Sequence, residues 1–242
     1  MKGCFVTGTD TEVGKTRISA GLLQRAAQAG LRAVGYKPVA AGMDQVGDQW
    51  MNEDVHTLWA ASSINVRLEE VGPCQLRQPC APHLAARSEG RAIDRAALVQ
   101  GARHLAGKAD FVVAEGAGGL CVPLGPGWDS SDLMADLGMP VVLVVGLRLG
   151  CINHALLTAE AIVARRLTLA GWVGNTIDPT MLHLGQNIET LSQELERRFQ
   201  AICLGVVPRL ERADAAAVAP HLSSSGLQAL FGQAQPQSDS AP

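Results

Sequence analysis

Gly8-Thr9-Asp10-Thr11-Glu12-Val13-Gly14-Lys15-Thr16 is framed by an apolar run, Cys4-Phe5-Val6-Thr7, and by a helix-like segment, Arg17 to Ala29, that stops at Gly30. Strand, glycine-bounded turn and helix, in that order, make a cradle for a polyphosphate. Loop N–H groups and the helix N-terminus point at phosphate oxygens, and the helix dipole favours negative charge there. Lys15 has the reach for β- and γ-phosphates, and the Thr16 hydroxyl suits a Mg²⁺ position. One detail is irregular. The common phosphate loop has four residues between its glycines, whereas five lie between Gly8 and Gly14. The competing reading is a chance Gly-Lys-Thr at an ordinary strand–helix turn, and the flanking elements favour the motif.

Length and composition bound the rest. The 242 residues, 47% apolar and 18% charged, suit one large domain with an ample core. A net charge of −3 gives no electrostatic reason to expect nucleic acid or an acidic membrane surface. The longest apolar candidate, Met139 to Leu147, suits a buried strand, not a membrane span. The N-terminus runs straight into a strand, so no signal peptide is expected, and a cytoplasmic location follows. Six cysteines, Cys4, Cys74, Cys80, Cys121, Cys151 and Cys203, form no CxxC pair and read as reduced thiols, with no structural zinc expected.

Short runs rich in Val, Leu and Ala predict strands at Cys4–Thr7, Ala33–Lys37, Phe111–Glu115, Val141–Val145, Leu169–Val173 and Ile202–Val207. Helices are predicted at Lys15–Ala29, Arg95–Ala106, Ser130–Leu137, Ile152–Arg166 and Ile188–Gln200. The alternation predicts an α/β fold with a single doubly wound, mostly parallel sheet flanked by helices. Residues 1–232 are expected to form that domain, and Gln233–Pro242, rich in Ser, Gln, Ala and Pro, a flexible tail.

Ligands of such sheets bind at the carboxyl ends of the strands. The second run ends Gly35-Tyr36-Lys37-Pro38-Val39, where Pro38 keeps Lys37 extended and puts an ammonium on the rim of the phosphate loop. Lys37 is either a second cation for a transferring phosphoryl group or a surface lysine at a loop start. The third run ends Glu115-Gly116-Ala117-Gly118-Gly119, an acid of the kind that holds Mg²⁺ beside phosphates, or simply one that opens a glycine loop. Asp54 is one of several acids, with Asp44, Asp48 and Glu53, that could equally be solvated. Gly150-Cys151-Ile152-Asn153 opens a helix whose free N–H groups suit a second anion, and Asn175, ending a run, carries an amide that suits a purine edge.

Together these motifs, with Pro82-His83, Leu149-Gly150-Cys151-Ile152-Asn153-His154 and Ala170-Gly171-Trp172-Val173-x-Asn175, resemble the dethiobiotin synthetase family over roughly residues 3 to 210. The lengthened phosphate loop is that family's own form. The resemblance implies a P-loop NTPase-like fold that uses ATP and Mg²⁺ to carboxylate 7,8-diaminopelargonate with CO₂ or bicarbonate and close the ring. One amine captures CO₂ as a carbamate, a carbamate oxygen attacks the γ-phosphate, and the second amine closes the ring with loss of phosphate. It implies Lys15 and Lys37 as the catalytic cations, and Thr16, Asp54 and Glu115 as Mg²⁺ ligands. Glu12, Val13, Gly14, Lys15, Thr16 and Arg17, with Glu115, Gly116, Ala117 and Gly118, are implied around the phosphates. Asn175, Thr176, Pro208, Arg209 and Leu210 are implied around the adenine. Thr11, Lys37 and Ala41 are implied beside the substrate. Gly150, Cys151, Ile152 and Asn153 are implied at its tail carboxylate, contributed across a homodimer interface.

Two positions depart from the family pattern. Ala41 stands where a serine is common, and Asn187 aligns near an aromatic residue that helps enclose the substrate in some members. A partitioning-type ATPase switch shares the expected sheet, but it carries a lysine early in its phosphate loop, where this chain has Thr9-Asp10-Thr11-Glu12.

Overall fold

A computed structural model describes residues 1–232 other than Asp48, Ala213 and Ser223, so the expected tail, Gln233–Pro242, lies outside the described residues. In chain order the first half comprises β1 (Gly3–Gly8), α1 (Lys15–Gln28), β2 (Ala33–Tyr36), β3 (Val39–Ala41), β4 (Asp44–Val46), β5 (Gln49–Met51), α2 (Glu53–Ala61), α3 (Leu68–Val71), β6 (Cys74–Leu76), α4 (Pro82–Ser88) and α5 (Arg95–Ala106). The second half comprises β7 (Phe111–Glu115), β8 (Pro123–Gly125), β9 (Trp128–Asp129), α6 (Ser130–Leu137), β10 (Val141–Leu147), α7 (Cys151–Ala164), β11 (Leu169–Thr176), α8 (Leu184–Phe199), β12 (Ile202–Val207), α9 (Ala215–Val218) and α10 (Ser224–Phe231).

Six strands form one sheet in the order β12-β11-β10-β1-β7-β2, and every neighbouring pair is parallel. These are the six strands the apolar runs predict. β10 and β11 run on to Leu147 and Thr176, and β2 stops one residue short of Lys37. β1, β7 and β10 are buried along their whole length, as strands covered on both faces must be. At Gly3 the backbones of β1 and β7 come too close for a side chain, since an added Cβ would lie 2.2 Å from the Val112 carbonyl oxygen. α1 packs against β1, β2 and β7 with α2 and α9 beside it, α5 against β7 beside α6, and α7 against β10 and β11 beside α8.

The winding fixes where a ligand can sit. From β1 the chain passes to β2 at the sheet edge, returns to β7 beside β1, and then places β10 on the other side of β1. The direction of winding therefore reverses at β1, and the crevice beyond its carboxyl end is the place where both neighbouring crossovers diverge. The loop from Gly8 to Thr16 leaves the sheet at that point.

Residues 38–94 hold most of what periodicity does not reveal. β3 pairs in parallel with β6, β4 with β5 as a hairpin, and α2, α3 and α4 have nine, four and seven residues. Elements of one or two turns, or three strand residues, are too short to show a period. Near the other end, the polar stretch after Ser223 contains α10, which buries Leu227, Leu230 and Phe231. Phe231 meets Phe111 edge to face, with ring centroids 5.0 Å apart. Phe231→Ala is expected to cost about 3 kcal/mol, from lost transfer energy and the cavity left against β7, and a urea unfolding midpoint measures it.

Candidate active site

The loop after β1 ends at Gly14, whose φ of 89° starts α1 from the left-handed region. No side chain caps α1 and its first turn holds no acid, so the helix N-terminus presents its N–H groups and dipole to the crevice. Glu12 adopts a φ of 59°, a conformation that costs a non-glycine residue energy. Lys15 Nζ donates to the Asp10 carbonyl at 3.0 Å, which folds the lysine back over the loop. Burial first, and then the neighbouring Lys37, push the Lys15 ammonium down to about 8, against the pull of Glu115, Asp54 and Asp10.

Across from the loop lies a buried charge cluster. Lys37 Nζ donates to Asp54 Oδ2 at 2.8 Å, to Glu115 Oε1 at 2.5 Å and to the Gly116 carbonyl at 3.3 Å. Lys37 is 2% exposed and Glu115 is 0% exposed, so neither is the surface residue that its motif alone allowed. Burial alone would lower the lysine, but Glu115 and Asp54 override it and hold the ammonium above its ordinary range. Burial would likewise raise Asp54, but Lys37 and the Thr16 hydroxyl hold its carboxyl below the usual value.

Thr16 Oγ1 stands 2.7 Å from Asp54 Oδ1 and 2.8 Å from Glu115 Oε1. A hydroxyl has a single hydrogen and cannot donate to both. Glu115 Oε2 is buried as well, with no hydrogen-bond partner among the described residues. Three hard oxygen ligands thus converge with fewer protons than acceptors, a donor set that fits Mg²⁺. Asp54 reaches this point from the first turn of α2, which Asn52 caps by accepting from the Val55 N–H.

With Glu115 buried beneath them, Lys15, Thr16, Lys37 and Asp54 line a cleft of about 1500 Å³. That exceeds the ~300–1,000 Å³ of an ordinary small-molecule site and leaves room for two substrates. Thr11, Glu12, Gly14, Lys15, Thr16, Arg17, Lys37, Ala41, Asp54, Ala117, Gly118, Asn175 and Arg209 all face it. Arg148, just past the end of β10, lines it too and pairs with Asp10 of the phosphate loop at 2.7 Å, although the sequence reading gave neither a role. The rule that strand tips carry chemistry would have found Arg148.

The AAA domain family's sequence pattern matches residues 2–217. The ATP-dependent dethiobiotin synthetase BioD of Aromatoleum aromaticum is 50% identical over 222 residues, spanning 92% of this chain and 97% of its own length. This chain belongs to the dethiobiotin synthetase family. The BioD of Pseudomonas aeruginosa is likewise 50% identical, over 223 residues, 92% of this chain and 96% of its own. Solved structures share the fold at low identity. The cell division ATPase MinD of Pyrococcus furiosus superposes with a TM-score of 0.57 at 13% identity, covering 96% of this chain and 99% of its own. The MinC:MinD cell division protein complex of Aquifex aeolicus gives 0.57 at 13%, covering 98% of both chains.

The remaining positions that the family resemblance implies lie outside the cleft of this chain. Val13 and Thr176 are buried behind it, Gly116 lends its carbonyl to Lys37, and Pro208 and Leu210 flank Arg209. Gly150, with a φ of 94°, starts α7 and is not among the residues lining the cleft, and Cys151 already donates its N–H to the Arg148 carbonyl. Cys151 is buried, Ile152 is partly covered and Asn153 is exposed. Asn187 is partly covered near the start of α8, where its amide donates to the His183 carbonyl at 2.9 Å. A testable consequence attaches to Lys15. The sign is set by a neutral lysine attracting an anion less than a charged one does. Affinity for a nucleoside triphosphate is therefore expected to be highest below pH 8 and to fall as pH rises through it, by roughly tenfold by pH 9.5. Calorimetric titration measures this, and Lys15→Met removes the slope.

Proposed function

We propose that this chain closes the ring of 7,8-diaminopelargonate with CO₂ to give dethiobiotin, with ATP as co-substrate and ADP and phosphate as the other products. The observation that supports this most directly is Lys37 held between Asp54 and Glu115, at 2.8 and 2.5 Å, opposite the Lys15–Thr16 end of the phosphate loop. A reaction whose every intermediate is anionic needs fixed cations and N–H donors more than it needs a general base. One substrate amine takes up CO₂ as a carbamate, whose oxygen displaces ADP from the γ-phosphorus. The second amine then attacks the carbonyl carbon of the mixed anhydride and phosphate leaves.

In that sequence Lys15 and Lys37 hold the negative charge on the carbamate and on the phosphoryl group in transit. Glu12 through Arg17 and the Glu115–Gly118 loop contact the phosphates. Thr16, Asp54 and Glu115 would hold Mg²⁺, which neutralises phosphate charge when bound. Asn175, Thr176, Pro208, Arg209 and Leu210 frame the adenine. Thr11 and Ala41 lie toward the diamine, and Ala41 supplies no hydroxyl, so a backbone N–H or a water takes that hydrogen bond. Two copies form a homodimer, and Gly150–Asn153 of one receives the substrate carboxylate of the other. What supports this is that those residues lie outside their own chain's cleft, next to Leu149, which is 88% exposed. Residues 1–232 act as one domain, and the enzyme works in the cytoplasm. Among the described residues no helix is long and apolar enough to cross a membrane.

ADP release by purified protein, measured with and without the diamine and bicarbonate, tests the assignment. The expected result is release that depends on both, and ATP turnover indifferent to the diamine sinks it. Lys37→Ala is expected to bind ATP within a few-fold of wild type while losing diamine-dependent turnover. It also leaves Glu115 buried without its cation, at a cost of about 3 kcal/mol in stability that thermal unfolding reads separately.

A further inference from the structure

Asn175, at the carboxyl end of β11, does more than stand near the cleft. Its Nδ2 donates to the Val13 carbonyl at 2.9 Å, across the gap between β11 and the phosphate loop. The carbonyl opposite fixes which way the amide faces, because only the NH₂ end has a hydrogen to give. The residue is 5% exposed and still lines the cleft. At Gly14 an added Cβ would lie 2.2 Å from that same Nδ2, so the glycine leaves room for the amide as well as supplying the left-handed turn. Directly opposite in register, Gly146 of β10 pairs with Asn175, and an added Cβ there would meet the Val13 side chain at 2.9 Å. The apex of the phosphate loop is thus seated on the ends of β10 and β11, pinned by apolar contact at Val13 and by one directed hydrogen bond from Asn175.

We propose that Asn175 is a positioning residue for the phosphate loop, so that the group facing the base end of the cleft also sets the geometry of the polyphosphate cradle. A loop released from this hydrogen bond spends part of its time in other conformations, and apparent affinity falls by the fraction of time lost. The amide has one N–H committed to Val13, which leaves a second N–H and the carbonyl oxygen for a ligand. Two functions then share one side chain, and they separate when the base is taken away. This inference rests on the reading of Gly8–Thr16 as a polyphosphate site, and it holds whatever amine the enzyme uses.

The test compares Mg²⁺-tripolyphosphate, which has no base, with Mg²⁺-ATP on the full chain by calorimetry. Asn175→Ala and Asn175→Asp are both expected to weaken tripolyphosphate by about tenfold at pH 8, the loss of one directed hydrogen bond. Asn175→Asp keeps the shape of the side chain, and its buried carboxylate would face the Val13 oxygen without a proton. Desolvation raises that carboxyl's pKa, so lowering the pH to about 5.5 protonates it and restores a donor. Tripolyphosphate affinity relative to wild type is then expected to recover in the Asp variant and to stay low in the Ala variant. If Asn175→Ala does not fold, the Asp variant alone carries the comparison. The proposal is overturned if Asn175→Asp binds tripolyphosphate within twofold of wild type at pH 8 while losing ATP affinity, which is the behaviour of a base contact alone. A loss with no recovery at low pH overturns it too. Wild-type protein that binds neither ligand overturns the polyphosphate reading and the tether with it, a result distinct from the other two.

Discussion

A single ammonium group, Lys37 Nζ, sits where the ends of two paired strands and the start of a helix converge. Asp54 comes from the start of α2, Glu115 and Gly116 from the end of β7, and Lys37 itself from the end of β2. A carboxylate as buried as Glu115 is tolerable only with a cation against it, and a cation as buried as Lys37 only with acids around it. The β2–β7 ladder brings the pair together, and the Lys37–Asp54 contact ties the start of α2 to it over the crevice. Thr16 joins the same cluster from the phosphate loop, so the walls of the cleft are referred to one electrostatic centre.

How much of this was legible in the sequence depends on the length of the signal. The six strands of the sheet read clearly because continuous Val, Leu and Ala runs have no other stable home than between two helical layers. α5 and α6 read to the residue, since Asp94 and Asp129 cap their first turns by accepting from Ala97 and Ser131. Lys37 and Glu115 were ambiguous because a strand tip carries no mark of burial. Only the packing of α2 over them removes the surface alternative, and α2 was itself invisible. Asp54 could not be told from its neighbours Asp44, Asp48 and Glu53 by spacing, since what distinguishes it is the direction its helix faces. Asn175 was legible as an amide at a strand end, but its grip on Val13, 162 residues away in sequence, is a product of the fold alone.

The two halves of the cleft differ in how they are built. The phosphate half is over-determined, with backbone N–H groups, two lysines, two acids and a hydroxyl locked together by short contacts. The half toward Ala41 is formed by pieces from β3, α2 and the start of α4, joined by three-residue strands and single-turn connections. Such segments have less cooperative support than a six-stranded sheet. Sequence departures from the family pattern, at Ala41 and Asn187, fall outside the locked cluster. Change is cheaper where fewer partners have to move with it.

Lys15 has one more consequence, which concerns heat and protons instead of affinity. With its ammonium pushed down to about 8, this lysine is neutral in part of the population in ordinary buffers. At pH 7.5 the neutral share is about a quarter, and an anion settling beside it restores the charge by drawing that fraction of a proton from solution. The buffer supplies the proton and its ionisation heat enters the measured enthalpy. The apparent binding enthalpy of this loop is thus a property of protein and medium together, and titrations in HEPES and in Tris will disagree although the affinity is the same.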